Sequence, residues 1–304
     1  MRINSAMDNA VTTIDKLTDG VKDLIPLPKA YVRIQQLVND PDSSLADITE
    51  VIVHDPGLTS RILRIANSAY MALATKVDTV SRAVQVLGLN QVHDLALAGA
   101  AVGSLVNLKS DVIDVADFWR RSVYAAVVGR AFAKRSAVSA PERAFVCGLL
   151  HDVGNLLLAY RMPDVYEELF QLAIQNDQTL SQVQLRELGF DYSDVGGALL
   201  EKWQLPDPIM EPVRHHTHRL TQSPVELIAD SSIVHTAAVV ARASLWREEG
   251  DEPVPEFHEV AVATVGVDDT LVTECMGEAN EALVEAMSLL LPKSSKPRAK
   301  ATAA

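Results

Sequence analysis

The apolar residues of this chain recur with helical periodicity nearly from end to end. Val80, Ala83, Val84 and Leu87 follow Thr79 at the i, i+3, i+4, i+7 spacing of one helix face, and Gly88 ends the stripe. Leu58, Ile62, Ile65 and Ala66 make a second stripe. Ser44, with Asp47 three residues on, has the form of a capping box that opens a helix through Leu45, Ile48 and Ile52. The Asp40-Pro41 and Asp55-Pro56 steps separate these segments, because a residue before proline avoids the α region. Further on, Asp191 is placed to cap a helix running to Lys202 and stopped by Leu205-Pro206, and Val225 to Trp246 reads as one long buried helix. Alternating runs of strand length are missing, so the pattern predicts an all-α fold.

These helices predict a multi-helix bundle with additions at both ends. Residues 1–21 read as an N-terminal extension and residues 22–247 as the main domain. Within that domain an N-terminal helical part (22–110), closed by Gly88 and Gly103, precedes a histidine-bearing core (111–247). Residues 248–254 are charged, contain a proline and read as a linker, and residues 255–291 suggest two or three acidic amphipathic helices. Residues 292–304 hold Lys293, Lys296, Arg298 and Lys300 with no acid among them, the composition of a disordered basic tail.

A chain of 304 residues, 48 % hydrophobic and 22 % charged, can bury a substantial core. Its net charge of −13 opposes the counterion-release term that drives phosphate-backbone binding, so nucleic acid is not an expected partner. Cys147 and Cys275, the two cysteines, are far apart, which argues against a disulfide framework and a thiolate zinc site. Met1 to Gly20 lacks the apolar segment of a signal peptide, and no apolar run reaches the roughly 18 residues of a membrane span. The expectation is a soluble, cytoplasmic protein without a membrane partner.

One stretch stands out chemically: Gly148-Leu149-Leu150-His151-Asp152-Val153-Gly154. An imidazole beside a carboxylate can ligate one divalent ion, and the carboxylate can bridge two. His215-His216 is the second candidate, with His218 close behind. Adjacent residues point to different sides of a helix, so at most one of the pair faces a site that includes His151. Gly196-Gly197 lacks the strand and glycine spacing of a phosphate loop and reads as close helix packing. Trp119 and Trp203 read as core, and His54, His93, His235 and His258 as structural histidines.

Several segments in order resemble the HDOD family: Ile25-Pro26-Leu27-Pro28, Asp55-Pro56-Gly57-Leu58, Leu63 to Ala69, and Ala83 to Gly88. Phe118-Trp119, Ser122, the His151-Asp152-Val153-Gly154 segment, Asp191 to Gly196, Trp203 to Pro206 and His215-His216 continue the likeness. HDOD domains are similar to the HD and HD-GYP metal phosphohydrolases but are regarded as output or regulatory modules. The resemblance therefore implies an HD-like helical core and signal transduction through a binding partner. It also implies ligand positions, and here the chain departs from the catalytic pattern. A histidine expected before Ser122 is Arg121, another expected near the start of the Asp191 helix is Tyr192, and a late aspartate is replaced near Ala238. His151, Asp152, His215 and His216 remain. Arg121 would place a permanent positive charge where a dication should sit.

Two readings follow. In the first, the chain has no catalytic residues and no resident cofactor, and acts as a regulatory module by binding a signalling partner protein or a small ligand. No receiver or cyclase domain is visible, so it is expected to act in trans. Asp152 is then structural and accepts charge-assisted hydrogen bonds from Arg121, His215 or His216. In the alternative, His151, Asp152 and one of the paired histidines hold a divalent metal whose bound water attacks a phosphate ester.

Overall fold

The computed structural model describes residues 13–38, 40–68, 76–244 and 252–291, and no strand occurs among the described residues. Near the N-terminus come α1 (Ile14–Thr18), α2 (Val21–Leu24), α3 (Lys29–Val38), α4 (Leu45–Val53), α5 (Pro56–Ala66), α6 (Val80–Leu87) and α7 (Leu89–Leu105). The expected caps are in place. Ser44 and Asp47 bond reciprocally, Asp47 Oδ2 accepting the Ser44 N–H at 2.8 Å. Asp55 accepts the Leu58 N–H at 2.9 Å with Pro56 in the first turn, and Thr79 accepts from Arg82 at the start of α6. Gly88 ends α6 as expected. Gly103 does not end a helix; it lies inside α7. Its role is steric, because Arg61 of α5 crosses α7 there to donate to the Gly99 carbonyl at 2.7 Å. A Cβ at position 103 would stand 2.6 Å from the Arg61 guanidinium.

The centre of the molecule is α8 (Val115–Ser136), buried almost without break from Phe118 to Ala133. Around it pack α9 (Pro141–Leu150), α15 (Ile228–Ser244) and α17 (Asp269–Leu290). Between α9 and α15 the chain forms α10 (Val153–Arg161), α11 (Pro163–Gln175), α12 (Leu180–Leu188), α13 (Tyr192–Lys202) and α14 (Asp207–His215). The single helix expected from Val225 begins instead with a 3-10 turn, Val225–Leu227, after Pro224, and α15 proper starts at Ile228. One hydrophobic core runs from Leu17 to Leu290, with α7 joining the early helices to α9. Trp203 fills that core and donates its indole N–H to the Ile25 carbonyl at 3.0 Å.

Both expected appendages are partly incorporated. The helix α1, inside the N-terminal extension, packs on α13 and α10. Glu252 is buried rather than a solvated linker residue, and α16 (Glu259–Val265) and α17 follow it. Arg135 of α8 pairs with Glu274 at 3.4 Å and Glu278 at 2.6 Å of α17. The basic tail and residues 248–251 of the linker lie outside the described residues. Among the described residues no helix is long and apolar enough to cross a membrane.

Candidate functional site

The His151-Asp152 pair forms the corner between α9 and α10: His151 ends the first helix and Asp152 precedes the second. The glycine two residues on is required by the approach of α13. A Cβ on Gly154 would fall 1.8 Å from the Tyr192 carbonyl oxygen and 2.7 Å from the Gly196 nitrogen. Backbone-to-backbone packing of this kind is also why the Gly196 region is small. It brings the first turn of α13 against the corner.

Asp152 is not bonded to Arg121, His215 or His216, contrary to the expectation. Its Oδ1 accepts from Asn155 Nδ2 at 2.7 Å, a partner one turn along the same helix. The chain of bonds continues outward. Asn155 Oδ1 accepts from Gln184 Nε2 at 3.0 Å, and Gln184 Oε1 accepts the Tyr192 N–H at 2.8 Å. Three helices, α10, α12 and α13, are thereby tied through buried amides.

The histidines divide as the helical geometry requires. His216 stands against His151 with ring centroids 5.5 Å apart, while His215 turns away to Glu211 at 3.1 Å. His151 donates from Nδ1 to the Gly148 carbonyl at 2.7 Å, and His216 donates from Nδ1 to the Val213 carbonyl at 2.7 Å. Each Nε2 of a neutral ring then keeps a lone pair. That of His216 is taken by the Tyr192 hydroxyl at 3.3 Å. His235 extends the line, donating to the His216 carbonyl at 2.7 Å and accepting the His258 N–H at 2.9 Å. Burial pushes all three imidazoles below their ordinary range, His216 to about 3, where the nearby His151 adds to the effect.

Around this line lie four charges. Arg121 of α8 and Arg242 of α15 both act on His151, and Asp152 and Glu252 supply the negative side. Tyr166 of α11 lies in the field of all four: burial, then Asp152 and Glu252, push its phenol well above the usual range, and Arg242 and Arg121 oppose them. Tyr192 is raised likewise, by burial and Asp152 first. Both phenols are therefore protonated donors at neutral pH. Arg242 pairs with Glu252, whose other oxygen accepts the Leu180 N–H at the start of α12. Ala238 is partly exposed on α15, and Arg242, one turn further along, reaches the cluster in its place.

Among the described residues no group of three or more His, Cys, Asp or Glu side chains is arranged to hold an ion. Of the expected remnant, His151 and His216 meet ring to ring, Asp152 acts on His151 through its charge, His215 is elsewhere, and the Tyr192 hydroxyl bonds His216. Sequence reasoning missed Asn155, Tyr166, Gln184, Arg242 and Glu252. Only Asn155, three residues after Asp152, and Arg242, four after Ala238, carried a signal in their spacing.

Comparisons agree with this architecture. A Treponema pallidum (strain Nichols) protein of uncharacterized function is 27 % identical over 213 residues, 69 % of this chain, and this chain spans 40 % of its length. The crystal structure of an HDOD domain protein from Geobacter sulfurreducens superposes with a TM-score of 0.69 at 24 % identity, covering 88 % of this chain and 93 % of its own. A candidate phosphohydrolase from Shewanella amazonensis SB2B gives a TM-score of 0.67 at 27 % identity, covering 90 % and 98 %. The HDOD domain profile matches residues 24–219, inside the 22–247 span expected from the motifs, and the chain belongs to the HDOD family.

Proposed function

We propose that this protein is a regulatory module that works by binding a signalling partner, on a hydrolase scaffold whose metal centre has been replaced by fixed donors. The observation that carries this reading is the occupation of the ligand space. The Tyr192 hydroxyl takes the His216 Nε2 lone pair, and a guanidinium lies in the same cluster as His151 and Asp152. A guanidinium keeps its proton at any physiological pH and so repels a dication permanently. The fold leaves helical surface on both sides of the core for a protein partner, including the acidic face of α17.

Elemental analysis of the purified chain after incubation with iron, manganese or zinc tests the reading. Substoichiometric metal and no phosphodiester hydrolysis are expected. One or more tightly held ions per chain, lost in His151→Ala, would overturn it. Affinity capture with mass spectrometry then identifies the partner.

The likeness to the Shewanella phosphohydrolase candidate, with His151 and His216 ring to ring, favours the second reading of an atypical metal-dependent phosphohydrolase. The same metal measurement separates the two.

A further inference from the structure

Exposed apolar surface is concentrated on the early helices. Among the described residues, the large apolar side chains left exposed there are Leu24, Val32, Val38, Leu45, Val53 and Val86, against five in all the rest. Two grooves, of about 770 and 780 Å³, open in this region and meet at Pro56, on the corner between α4 and α5. The first lies between α5 and the end of α17, with Val53, Leu63 and Leu289 as its apolar lining. The second lies between α3 and α4, with Ala30, Leu37 and Val51. At the corner itself Val53 is 54 % exposed. Adjoining apolar grooves of this kind mark an interaction surface, where scattered single residues would not.

The charges in the two grooves identify the partner. Arg64 and Lys76 line the first together with Glu285, and Lys29 and Arg33 line the second together with Asp47, Glu50 and Asp55. Cations and anions are thus equal in number, on a chain whose net charge is −13. A uniformly acidic or basic partner would meet as much repulsion as attraction there. A second copy would not, because a two-fold contact sets the same patch against itself and lets each cation meet an anion of the other copy. A neutral patch is also where two chains of like net charge approach with least repulsion. Size agrees with this. Ten residues line each groove and Pro56 is common to both, close to the lower end of the about 20–30 residues a side of a specific interface.

We propose that this chain forms a two-fold dimer through the α4–α5 corner, the apolar linings of the two grooves packing across the axis and the mixed charges closing the rim. The surface shares no residue with the His151 cluster and stands apart from the signalling-partner reading.

Sedimentation velocity of the full chain from about 1 to 200 µM tests this. A dimer that grows with concentration is expected. Val53→Asp, a change at an exposed side chain, is expected to raise the dissociation constant at least about tenfold. Two charge-reversed variants probe the self-complementarity: Arg64→Glu with Lys76→Glu, and Glu50→Lys with Glu285→Lys. Each alone is expected to associate at least about tenfold more weakly than the wild type, and an equimolar mixture of the two to recover dimers. Circular dichroism confirms that each variant is folded. Should a charge-reversed variant fail to fold, Val53→Asp against the wild type decides. The proposal is overturned if the wild type stays monomeric at about 200 µM, which would leave the patch to a different protein. It is equally overturned if a dimer survives Val53→Asp unchanged, or if the mixed variants fail to pair. None of these results touches the signalling-partner reading, which rests on captured protein and metal content.

Discussion

Asp191 and Asp152 stand on either side of the first turn of α13, both nearly inaccessible to water, and their surroundings differ. Asp191 is fully buried and saturated. It accepts from the Ser193 and Asp194 N–H groups at 3.0 and 3.3 Å, from Ser193 Oγ at 2.7 Å and from Ser181 Oγ, and faces His218 at 3.3 Å. Burial alone would raise its pKa, but hydrogen bonds from His218, Ser181 and Ser193 hold it well below the carboxylate range. Asp152 has one neutral partner, Asn155, and two arginines in its vicinity that are not bonded to it. At one centre the donors were recruited to a carboxylate the fold needs. At the other the Arg121 Nε donor is buried without an acceptor. The first arrangement is saturated; the second is not.

The largest effect should come from breaking both centres together. Gly154→Ala forces a methyl group into the Tyr192 carbonyl, where backbone rather than a flexible side chain must yield. We expect a cost above the about 1–3 kcal/mol of ordinary overpacking, read as insoluble expression or a melting temperature lowered by more than ten degrees. Asp191→Ala should come next. It removes a helix cap and strands several buried donors, at about 3–5 kcal/mol. Chemical denaturation measures it. A loss under about 1 kcal/mol would mean that Asp191 is no more committed than Asp152.

Acid separates the two centres by their pH windows. The buried histidines have folded pKa values depressed from the about 6.5 of an unfolded chain. The unfolded state therefore takes up protons first, and the stability they contribute is complete above about pH 6.5 and lost as pH falls below it. For His216, at about 3 in the folded protein, the loss between pH 6.5 and 5 is on the order of 2 kcal/mol. The groups facing this line are Asp152, Asp191, Tyr192, His258, Arg121 and Arg242. Asp191, whose pKa is lowered, keeps its contribution until pH drops below about 3.8, the range of an unfolded aspartate. Denaturation midpoints from pH 7 to 3 should thus fall in two stages, and His216→Gln should flatten the upper one. A flat profile down to pH 4 would contradict the assignment of neutral histidines.

What was legible in the sequence was local. Ser44 with Asp47, Thr79 and Asp191 announce helix starts because a cap involves residues no more than four apart. The rule that neighbours on a helix face apart foresaw that only one of His215 and His216 would reach His151. The partner of Asp152 was misjudged because a charged group across the core was preferred to an amide one turn away. The pairing of Arg242 with Glu252 has no local signal, because it joins residues ten apart that do not share a helix. Glu252 sits in a stretch whose charge and proline suggest solvent, and nothing in its spacing points to the Leu180 N–H. Gly103 likewise takes its meaning from Arg61, which lies on another helix.

The smallest expected effect is the most diagnostic for the open centre. Tyr192→Phe keeps the ring that packs near His216 and removes only the hydroxyl, whose bond to Nε2 spans 3.3 Å. Such a bond is long for O–H···N, so its net value should lie low in the about 0.5–1.5 kcal/mol range of a neutral hydrogen bond. A melting temperature lowered by about 2–4 °C per kcal/mol makes this a shift of a few degrees at most. The substitution also frees the His216 lone pair without adding a ligand, so metal content should not rise, because Arg121 still carries its charge. A loss above about 3 kcal/mol would place Tyr192 in a saturated network of the Asp191 kind. In that case the contrast between a saturated centre and an unsaturated one would fail at the residue where the two meet.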